Sequence, residues 1–310
     1  MMVEAGIRQR VLITAGAVGI GRAIAEAFVD QGAEVWVVDV DEASLATCPP
    51  DWYRNCLDVT DEAAVLALFQ ELDRTWGGLD VLCANAGIAG PIGPVEEISL
   101  ADWRRCVSVS LEGAFLFARQ TAPMMKVQRS GAVVLTSSTA GIFGFRHRAP
   151  YVAAKWGVIG LMKTLASELG PFNVRANAIC PGPVEGNRME RVLEKEALIK
   201  QRTRDEIYAG YAAGASMRRF VTAQDIAGMA VFLASDAARF VTVGKGNKER
   251  EISVSNAMLE ALKRYRLSRD LPPLPGPGES TPLIHKTRGK GGITSTRQIR
   301  GIVQKCFDLA

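Results

Sequence analysis

The sequence predicts an α/β fold, in which a parallel sheet carries helices on both of its faces. Short apolar segments of strand length alternate with amphipathic helical stripes up to residue 242, which is the pattern of strand–helix–strand units. Several of the strand segments are apolar without interruption, as expected of strands buried on both sides. With 310 residues, of which 48% are hydrophobic and 23% charged, the chain can bury a substantial core.

The elements of the first half are predicted in order from these patterns. Residues 10–14 (RVLIT) form the first strand, and a glycine-rich turn at 14–21 leads into a helix. Residues 34–39 (EVWVVD) form the second strand, and residues 53–57 a weaker third one. The helix that follows is marked by an apolar stripe of Val65, Leu68, Phe69 and Leu72.

The second half repeats the alternation. Residues 79–87 contain a fourth strand that runs into a turn, and residues 101–126 are predicted as one long helix. Residues 131–138 form the fifth strand, and Gly170-Pro171 ends a helix predicted at 151–169. The remaining elements are a sixth strand at 174–180 and helices within 187–211 and 223–235.

The composition argues against several classes of protein. Six cysteines are scattered without a CxxC pair, which argues against a zinc site or a disulfide framework and favours a reducing cytosol. His147 and His285 are the only histidines, which argues against a histidine-based metal centre. The N-terminus has no apolar leader and no apolar run reaches membrane-spanning length. We therefore expect a cytoplasmic protein with no metal and no membrane partner.

Charge divides the chain into two parts. Residues 243–310 carry 13 Lys and Arg against 6 Asp and Glu, a net charge of +7, so that the whole chain's +4 leaves −3 for residues 1–242. The same region contains a Pro/Gly stretch at 271–279 and a basic RGKGG run at 288–292. This change of composition predicts a different module, with a basic and partly irregular C-terminal tail.

The candidate chemistry lies on the helix predicted at 151–169. Tyr151 and Lys155 are four residues apart and therefore share one helix face. An ammonium beside a phenol lowers the phenol's pKa from its ordinary value of about 10. Such a tyrosine can exchange a proton with an alcohol or a ketone. Since the glycine turn at 14–21 offers a dinucleotide site, the pattern predicts hydride transfer between a nicotinamide and an alcohol or carbonyl.

Residues 8–242 resemble the short-chain dehydrogenase/reductase family over nearly the full core of that family. The resemblance rests on motifs in the family's order: the glycine turn, Asp39, Asp58-Val59, Asn85-Ala86-Gly87, Ser138, Tyr151 with Lys155, and Pro181-Gly182. It implies a doubly wound, Rossmann-like sheet with the cofactor at the carboxyl ends of the strands. It also implies an oxidoreductase that moves a hydride between NAD(H) and a secondary alcohol or ketone.

The resemblance assigns roles to the residues of the site. Tyr151 is implied as the general acid/base, and Ser138 as the residue that holds the substrate oxygen, with Ser137 as an equally polar neighbour. Lys155 is implied to bind the nicotinamide ribose and to lower the pKa of Tyr151. Ser110 stands where the family usually has an asparagine that holds a water of the proton relay. Serine is shorter but still polar.

The cofactor choice depends on Asp39 at the end of the second strand. Its carboxylate can accept hydrogen bonds from the ribose hydroxyls and would repel a 2′-phosphate, which favours NAD(H), although Asp39 and Asp41 also compete as helix caps. Further implied contacts are Gly16, Gly19, Ile20 and Gly21 at the pyrophosphate, Asp58 and Val59 at the adenine, Asn85, Ala86 and Gly87 at the adenosine ribose, and Tyr151, Lys155, Pro181, Gly182 and Val184 at the nicotinamide side. Asp58 and Val59 could instead be plain turn residues, and Asn85 could instead brace the sheet. The contact with the nicotinamide carboxamide could come from Asn187 instead of Val184.

Residues 243–310 resemble an internal fragment of a tyrosine recombinase (phage integrase) catalytic domain. The resemblance rests on GKGNKEREISVS, in which Lys245 matches that family's hairpin lysine. The fragment lacks the family's catalytic arginine, His-x-x-Arg segment and nucleophilic tyrosine. We therefore interpret the chain as a chimera of an NAD-binding domain at 1–242 and a non-catalytic fragment at 243–310. In this chimera the final strand of the dehydrogenase fold is missing or replaced.

Two other functions stay open at this point. The chain is alternatively a catalytically impaired dinucleotide-binding protein, because of Ser110 and the lost strand, or a DNA-associated protein that uses its basic tail. The expected partners are a small-molecule alcohol or carbonyl substrate and further copies of the chain in a homodimer or homotetramer. Arg146, His147 and Arg188 are candidates for contact with a polar or anionic group, or are solvated residues of a loop edge.

Overall fold

A six-stranded parallel sheet forms the centre of the protein. The computed structural model describes residues 8–215 and 217–241. The strands are β1 (Arg10–Thr14), β2 (Glu34–Asp39), β3 (Tyr53–Cys56), β4 (Val81–Ala84), β5 (Gly131–Thr136) and β6 (Val174–Ile179). Their spatial order is β3-β2-β1-β4-β5-β6, and all neighbours are parallel. The predicted parallel α/β sheet is confirmed.

Helices connect the strands and cover both faces of the sheet. They are α1 (Gly19–Val29), α2 (Glu42–Leu45), α3 (Glu62–Trp76), α4 (Leu100–Val107), α5 (Gly113–Gln128), α6 (Ala149–Leu169), α7 (Asn187–Lys200), α8 (Arg204–Ala213) and α9 (Ala223–Ala234). One core contains Leu68 of α3, Phe117 of α5 and Val158 of α6. A second core contains Phe28 of α1 and Ile226 of α9. The two cores are the two layers of a doubly wound fold.

The order of the strands places the candidate site. Strand β1 pairs with β2 on one side and with β4 on the other, so the chain winds outward in both directions from β1. In such open sheets, ligands bind beyond the carboxyl ends of the strands at this reversal point. The segments that follow β1, β2, β4, β5 and β6 carry most of the predicted site residues.

The structure corrects two of the predicted helices. The helix expected at 101–126 is divided into α4 and α5 by a π-helical turn at Ser108–Glu112. A π turn inserts one extra residue, which an apolar stripe with helical period does not report. The region 187–211 contains two helices, because Gln201 takes a left-handed conformation (φ 50°) and Thr203 caps the N-terminus of α8.

Some predictions lie outside the described residues. These are the replaced final strand, the basic tail, the recombinase resemblance with Lys245, and the domain boundary at 242/243. The sheet of the described residues has β3 and β6 as its outer strands. Within residues 8–215 and 217–241, none of the helices combines the length and the apolar character needed to cross a membrane.

Gly21 allows α1 to approach the turn after β1, and its substitution tests that approach. A Cβ atom at Gly21 would lie 1.9 Å from the carbonyl oxygen of Ala15, so Gly21→Ala forces the backbone to move. We expect the free energy of unfolding to fall by about 1–3 kcal/mol. Gly228→Ala is the matched control, because a Cβ on this exposed residue of α9 meets no atom of the described residues within 4 Å.

Chemical denaturation of both variants checks this prediction. The control should be as stable as the parent or more stable by up to about 1 kcal/mol, since alanine favours helix over glycine. Equal stabilities of the two variants would contradict the close approach at Gly21.

Candidate active site

Helix α6 presents Tyr151 and Lys155 together beside the carboxyl ends of β5 and β6. Lys155 is only 2% exposed, and its Nζ donates a hydrogen bond to the carbonyl oxygen of Thr136 at 2.7 Å, the last residue of β5. The same Nζ lies 5.8 Å from the centre of the Tyr151 ring. The two residues predicted to share a helix face are therefore neighbours, and β5 fixes the position of the lysine.

Burial changes the protonation of Lys155. Removal from water, the larger cause, and the nearby positive charge of Arg188 together lower its pKa to about 7. Near pH 7 the ammonium and the neutral amine of Lys155 are thus present in comparable amounts. A group whose charge changes this easily can take part in proton transfer at neutral pH.

The structure separates the two adjacent serines after β5. Ser137 is buried, and its Oγ donates to the carbonyl oxygen of Lys155 at 2.9 Å, which ties α6 to the sheet. Ser138 is partly exposed; its Oγ accepts from the Ala140 N–H at 3.1 Å and donates to the Pro181 carbonyl at 3.4 Å. Because Ser137 is used in packing, Ser138 is the more accessible of the two serines, and its hydroxyl can reach a ligand by turning away from the Pro181 carbonyl.

Ser110 lies on the π-helical turn and faces the segment after β4. It is 1% exposed, and its Oγ accepts a hydrogen bond from the N–H of Ile88 at 3.2 Å. A Cβ atom at Gly87 would lie 3.3 Å from Lys155 Nζ and 3.4 Å from Ser110 Oγ. Gly87 therefore lies between the lysine and the serine, and any larger residue there would crowd both of them. π turns in helices are common at functional sites.

The glycine turn leaves the N-terminus of α1 available for an anion. Val18 precedes the helix without a capping side chain, and the first turn of α1 contains no acidic residue. Its free N–H groups and the helix dipole together favour a phosphate. Gly19 has φ +56°, and a Cβ there would meet nothing within 4 Å in the part of the chain that the structure describes. Gly16 allows the turn to pack closely against β2, because a Cβ there would lie 2.7 Å from the Val37 side chain.

Asp39 ends β2 beside the glycine turn. Its Oδ2 accepts the N–H of Ala17 at 3.2 Å and its Oδ1 accepts the N–H of Asp41 at 3.2 Å. Asp41 is the residue that caps α2, since its side chain accepts the N–H of Ala43. The helix-capping alternative for Asp39 is therefore wrong, and its carboxylate is placed next to the proposed dinucleotide site.

Comparison with known proteins agrees with this architecture. Residues 15–245 match a family described as enoyl-(acyl carrier protein) reductase. The chain is 35% identical to 2-(S)-hydroxypropyl-CoM dehydrogenase 3 of Xanthobacter autotrophicus over 75% of this chain and 91% of that protein. It is 36% identical to levodione reductase of Leifsonia aquatica over 74% of this chain and 89% of that protein.

A solved structure extends the comparison to three dimensions. NAD+-bound xylitol dehydrogenase superposes with a TM-score of 0.73 at 28% identity, over 76% of this chain and 95% of that one. The chain belongs to the short-chain dehydrogenase/reductase family. The predicted family is thus confirmed for residues 15–245, and the prediction of an oxidoreductase enzyme is confirmed with it. The recombinase resemblance of the tail stays a prediction.

Several residues of the family motifs serve the fold of this dehydrogenase/reductase. The N–H groups of Asn85 and Ala86 both donate to Thr14 Oγ1 at 2.9 Å, and Asn85 Nδ2 donates to the Thr14 carbonyl at 3.3 Å. Asp58 Oδ1 accepts the N–H and hydroxyl of Thr60 at 2.9 and 2.8 Å. The segment 85–86 therefore braces β4 against β1, and Asp58 forms a turn. Their contacts with a cofactor stay predictions.

The segment after β6 closes the other side of this dehydrogenase/reductase site. The carbonyl oxygen of Pro181 accepts a hydrogen bond from the N–H of Thr139 at 2.8 Å. A Cβ atom added at Gly182 would lie 4.0 Å from the Thr139 methyl group, which is an ordinary contact distance. Val184 bridges to Val221, and Asn187 begins α7. Val184 is therefore fixed by backbone pairing, whereas Asn187 is exposed, and their contacts with a cofactor stay predictions.

Sequence reasoning missed Arg148. It is 9% exposed, directly precedes the first residue of α6, and places its guanidinium carbon 5.0 Å from the centre of the Tyr151 ring. Its position three residues before Tyr151 places it near that residue, but only the fold shows that it is buried. The sequence left Arg188 as either a contact for a polar group or a solvated residue. Its guanidinium carbon lies 5.9 Å from the centre of the same ring. Arg146 and His147 line a different cavity of about 460 Å³.

Proposed function

We propose that the protein transfers a hydride between NAD(H) and a secondary alcohol or ketone through Ser138, Tyr151 and Lys155. The observation that carries the proposal is the buried Lys155, which is held by Thr136 beside the Tyr151 ring at the carboxyl edge of the sheet. Lys155 has no carboxylate partner among residues 8–215 and 217–241. A buried lysine of this kind is costly, and active sites are the usual place for such a group.

The described residues fit a nicotinamide dinucleotide. The uncapped start of α1 suits a pyrophosphate, and the Asp39 carboxylate beside it suits the ribose hydroxyls of NAD(H). The relative of known structure with NAD+ bound has the same fold. Gly87 leaves room beside Lys155 Nζ, where the second ribose of such a cofactor would meet the lysine.

The residues of the chain have separate tasks in the proposed reaction. NAD+, when bound, supplies the carbon that accepts the hydride. As a phenolate, Tyr151 takes the proton of the substrate alcohol, and Ser138 Oγ, turned away from the Pro181 carbonyl, donates a hydrogen bond to the same oxygen. Lys155 holds the ribose and stabilises negative charge on the phenol. In the proposed reaction Ser110, which lies beside Gly87, passes the proton onward through its hydroxyl.

A coupled assay tests this function. The full chain is incubated with NAD+ or NADP+ and a panel of secondary alcohols, and reduced cofactor is followed by absorbance. We expect turnover with NAD+ for at least one class of alcohol. Tight binding of NADH without turnover across the panel would contradict the proposal and would favour the dinucleotide-binding alternative.

Asp39 should determine the choice between the two cofactors. Its negative charge repels a 2′-phosphate, so we expect Asp39→Asn to reduce the ratio of kcat/KM for NAD+ over NADP+ by roughly tenfold. Asp41→Asn is the matched control, because Asp41 is exposed and an asparagine can still cap α2. An unchanged ratio in Asp39→Asn would remove Asp39 from cofactor recognition.

The same proposal covers the organisation of the whole chain. The NAD-binding domain spans residues 1–242, the segment 243–310 is a non-catalytic recombinase-like fragment, and the chain forms a homodimer or homotetramer. Comparison of residues 1–242 with the full chain by sedimentation and by cofactor turnover tests these points. A salt-sensitive DNA mobility shift that only the full chain gives would favour the DNA-associated alternative.

A further inference from the structure

Two guanidinium groups stand beside the tyrosine of the site. The guanidinium carbons of Arg148 and Arg188 lie 5.0 and 5.9 Å from the centre of the Tyr151 ring. Arg148 Nη2 donates to the carbonyl oxygen of Ala89 at 3.2 Å, and Arg188 Nη1 donates to that of Gly87 at 3.1 Å. Both arginines are thus anchored on the short segment after β4, within reach of a molecule that contacts the Tyr151 hydroxyl.

The charge of this pair is not balanced within the described residues. Arg148 is 9% exposed and its Nε has no hydrogen-bond partner there. Neither arginine has an Asp or Glu oxygen within 4 Å among residues 8–215 and 217–241. Glu196, a buried carboxylate of α7, is already paired with Lys200 and with the Tyr211 hydroxyl at 2.5 Å. Burial of an arginine without an anion is costly.

The positive charge reaches the catalytic lysine as well. Two causes lower the pKa of Lys155: burial is the larger one, and the positive charge of Arg188 is the second. An anion bound between Arg148 and Arg188 would relieve this repulsion and would also satisfy the unpaired Nε. A planar guanidinium donates two parallel hydrogen bonds to an oxyacid, which gives direction as well as attraction.

We propose that Arg148 and Arg188 bind an anionic oxyacid group, a carboxylate or a sulfonate, on the substrate whose alcohol meets Tyr151. The proposal rests on the proposed function and narrows it from secondary alcohols in general to anionic secondary alcohols. Arg148 provides the buried contact, and Arg188, which is exposed on α7, closes on the group from the solvent side.

The test compares charged alcohols with neutral analogues of the same shape. The probes are 3-hydroxybutyrate, 4-hydroxypentanoate and 5-hydroxyhexanoate, each with its primary amide, and 4-hydroxypentane-1-sulfonate. Steady-state constants with NAD+ are measured for the full chain and for Arg148→Met, Arg148→Lys and Arg188→Met. Arg191→Met is the control, because Arg191 is an exposed residue of the same helix as Arg188.

We expect the best acid to exceed its amide in kcat/KM by roughly tenfold or more in the parent and in Arg191→Met. The Met variants at 148 and 188 should each lose roughly this ratio, because KM rises more for the acid than for its amide. Arg148→Lys should restore part of the ratio. If the sulfonate is used better than every carboxylate, the bound group is a sulfonate.

Several results would overturn the proposal. Equal use of acids and amides by the parent, an unchanged ratio in the Met variants, or a higher KM for NAD+ with both kinds of substrate would each do so. Turnover of amides that Tyr151→Phe abolishes would meanwhile uphold the proposed function.

A binding measurement decides the proposal if no alcohol is turned over. Thermal unfolding is followed with NAD+ and either 4-oxopentanoate or its amide. A rise in Tm with the acid alone, lost in Arg188→Met and kept in Arg191→Met, supports the pair of arginines. Equal shifts in all proteins, or no shift with the acid in the parent, would overturn it.

Discussion

Replacement of Tyr151 by phenylalanine should lower kcat for a secondary alcohol with NAD+ by about 10²–10⁴-fold. The change removes one oxygen, the atom that takes the proton from the substrate. The aromatic ring stays, and with it the packing of Arg148, Lys155 and Arg188 around the ring at 5.0–5.9 Å. The affinity for NADH should fall by no more than the one hydrogen bond that the Tyr151 hydroxyl makes, about 0.5–1.5 kcal/mol, because the other implied contacts with the dinucleotide stay.

The measurement is a pair of experiments on the same preparation. Steady-state kinetics give the loss in kcat, and NADH fluorescence titration gives the affinity. Tyr53→Phe is the matched control, since Tyr53 stacks on Trp36 with ring centres 4.8 Å apart at the strand β3 and lies outside the proposed site. Equal rates in Tyr151→Phe and the parent would remove Tyr151 as the acid/base and with it the proposed mechanism.

The fold was predictable because its determinants are local and periodic. The apolar segments of β1, β2 and β5 are buried on both faces of the sheet, so they need no alternation and stand out in the sequence. Tyr151 and Lys155 were predictable as a pair because their spacing is a helix geometry. β3 was the weakest strand in the sequence, and its side chains are indeed half-buried or exposed at the outside of the sheet.

The rest of the site depends on contacts between distant segments, which spacing does not contain. The π-helical turn brings Ser110 to Ile88, 22 residues away in the sequence. The choice of Ser138 over Ser137 depends on the contact of Ser137 with α6. Arg148 shares a helix turn with Tyr151, but its importance comes from burial without an acidic partner among the described residues, which only the fold determines.

Lys155→Met should abolish turnover and should also change how stability depends on pH. In the cofactor-free protein burial lowers the pKa of Lys155 to about 7, whereas the unfolded chain has an ordinary lysine pKa of about 10.4. Between these values the unfolded state binds more protons than the folded state. This residue therefore makes the free energy of unfolding rise with pH from about 7 upward, by as much as ~1.4 kcal/mol per pH unit. Below pH 7 both states are protonated and its contribution is constant.

Urea denaturation at intervals from pH 6 to pH 8.5 checks this prediction on the cofactor-free chain. The difference between parent and Lys155→Met should be constant below about pH 7 and should then grow in favour of the parent. The lost hydrogen bond to the Thr136 carbonyl lowers the free energy of unfolding of the variant by the same amount at each pH. Only a difference in the slope of this free energy against pH therefore reports the pKa of Lys155. Lys163→Met, an exposed residue of the same helix, should keep the slope of the parent. Parallel curves for Lys155→Met and the parent would mean that Lys155 keeps an ordinary pKa, and the positive charge near Tyr151 would then persist throughout the neutral range.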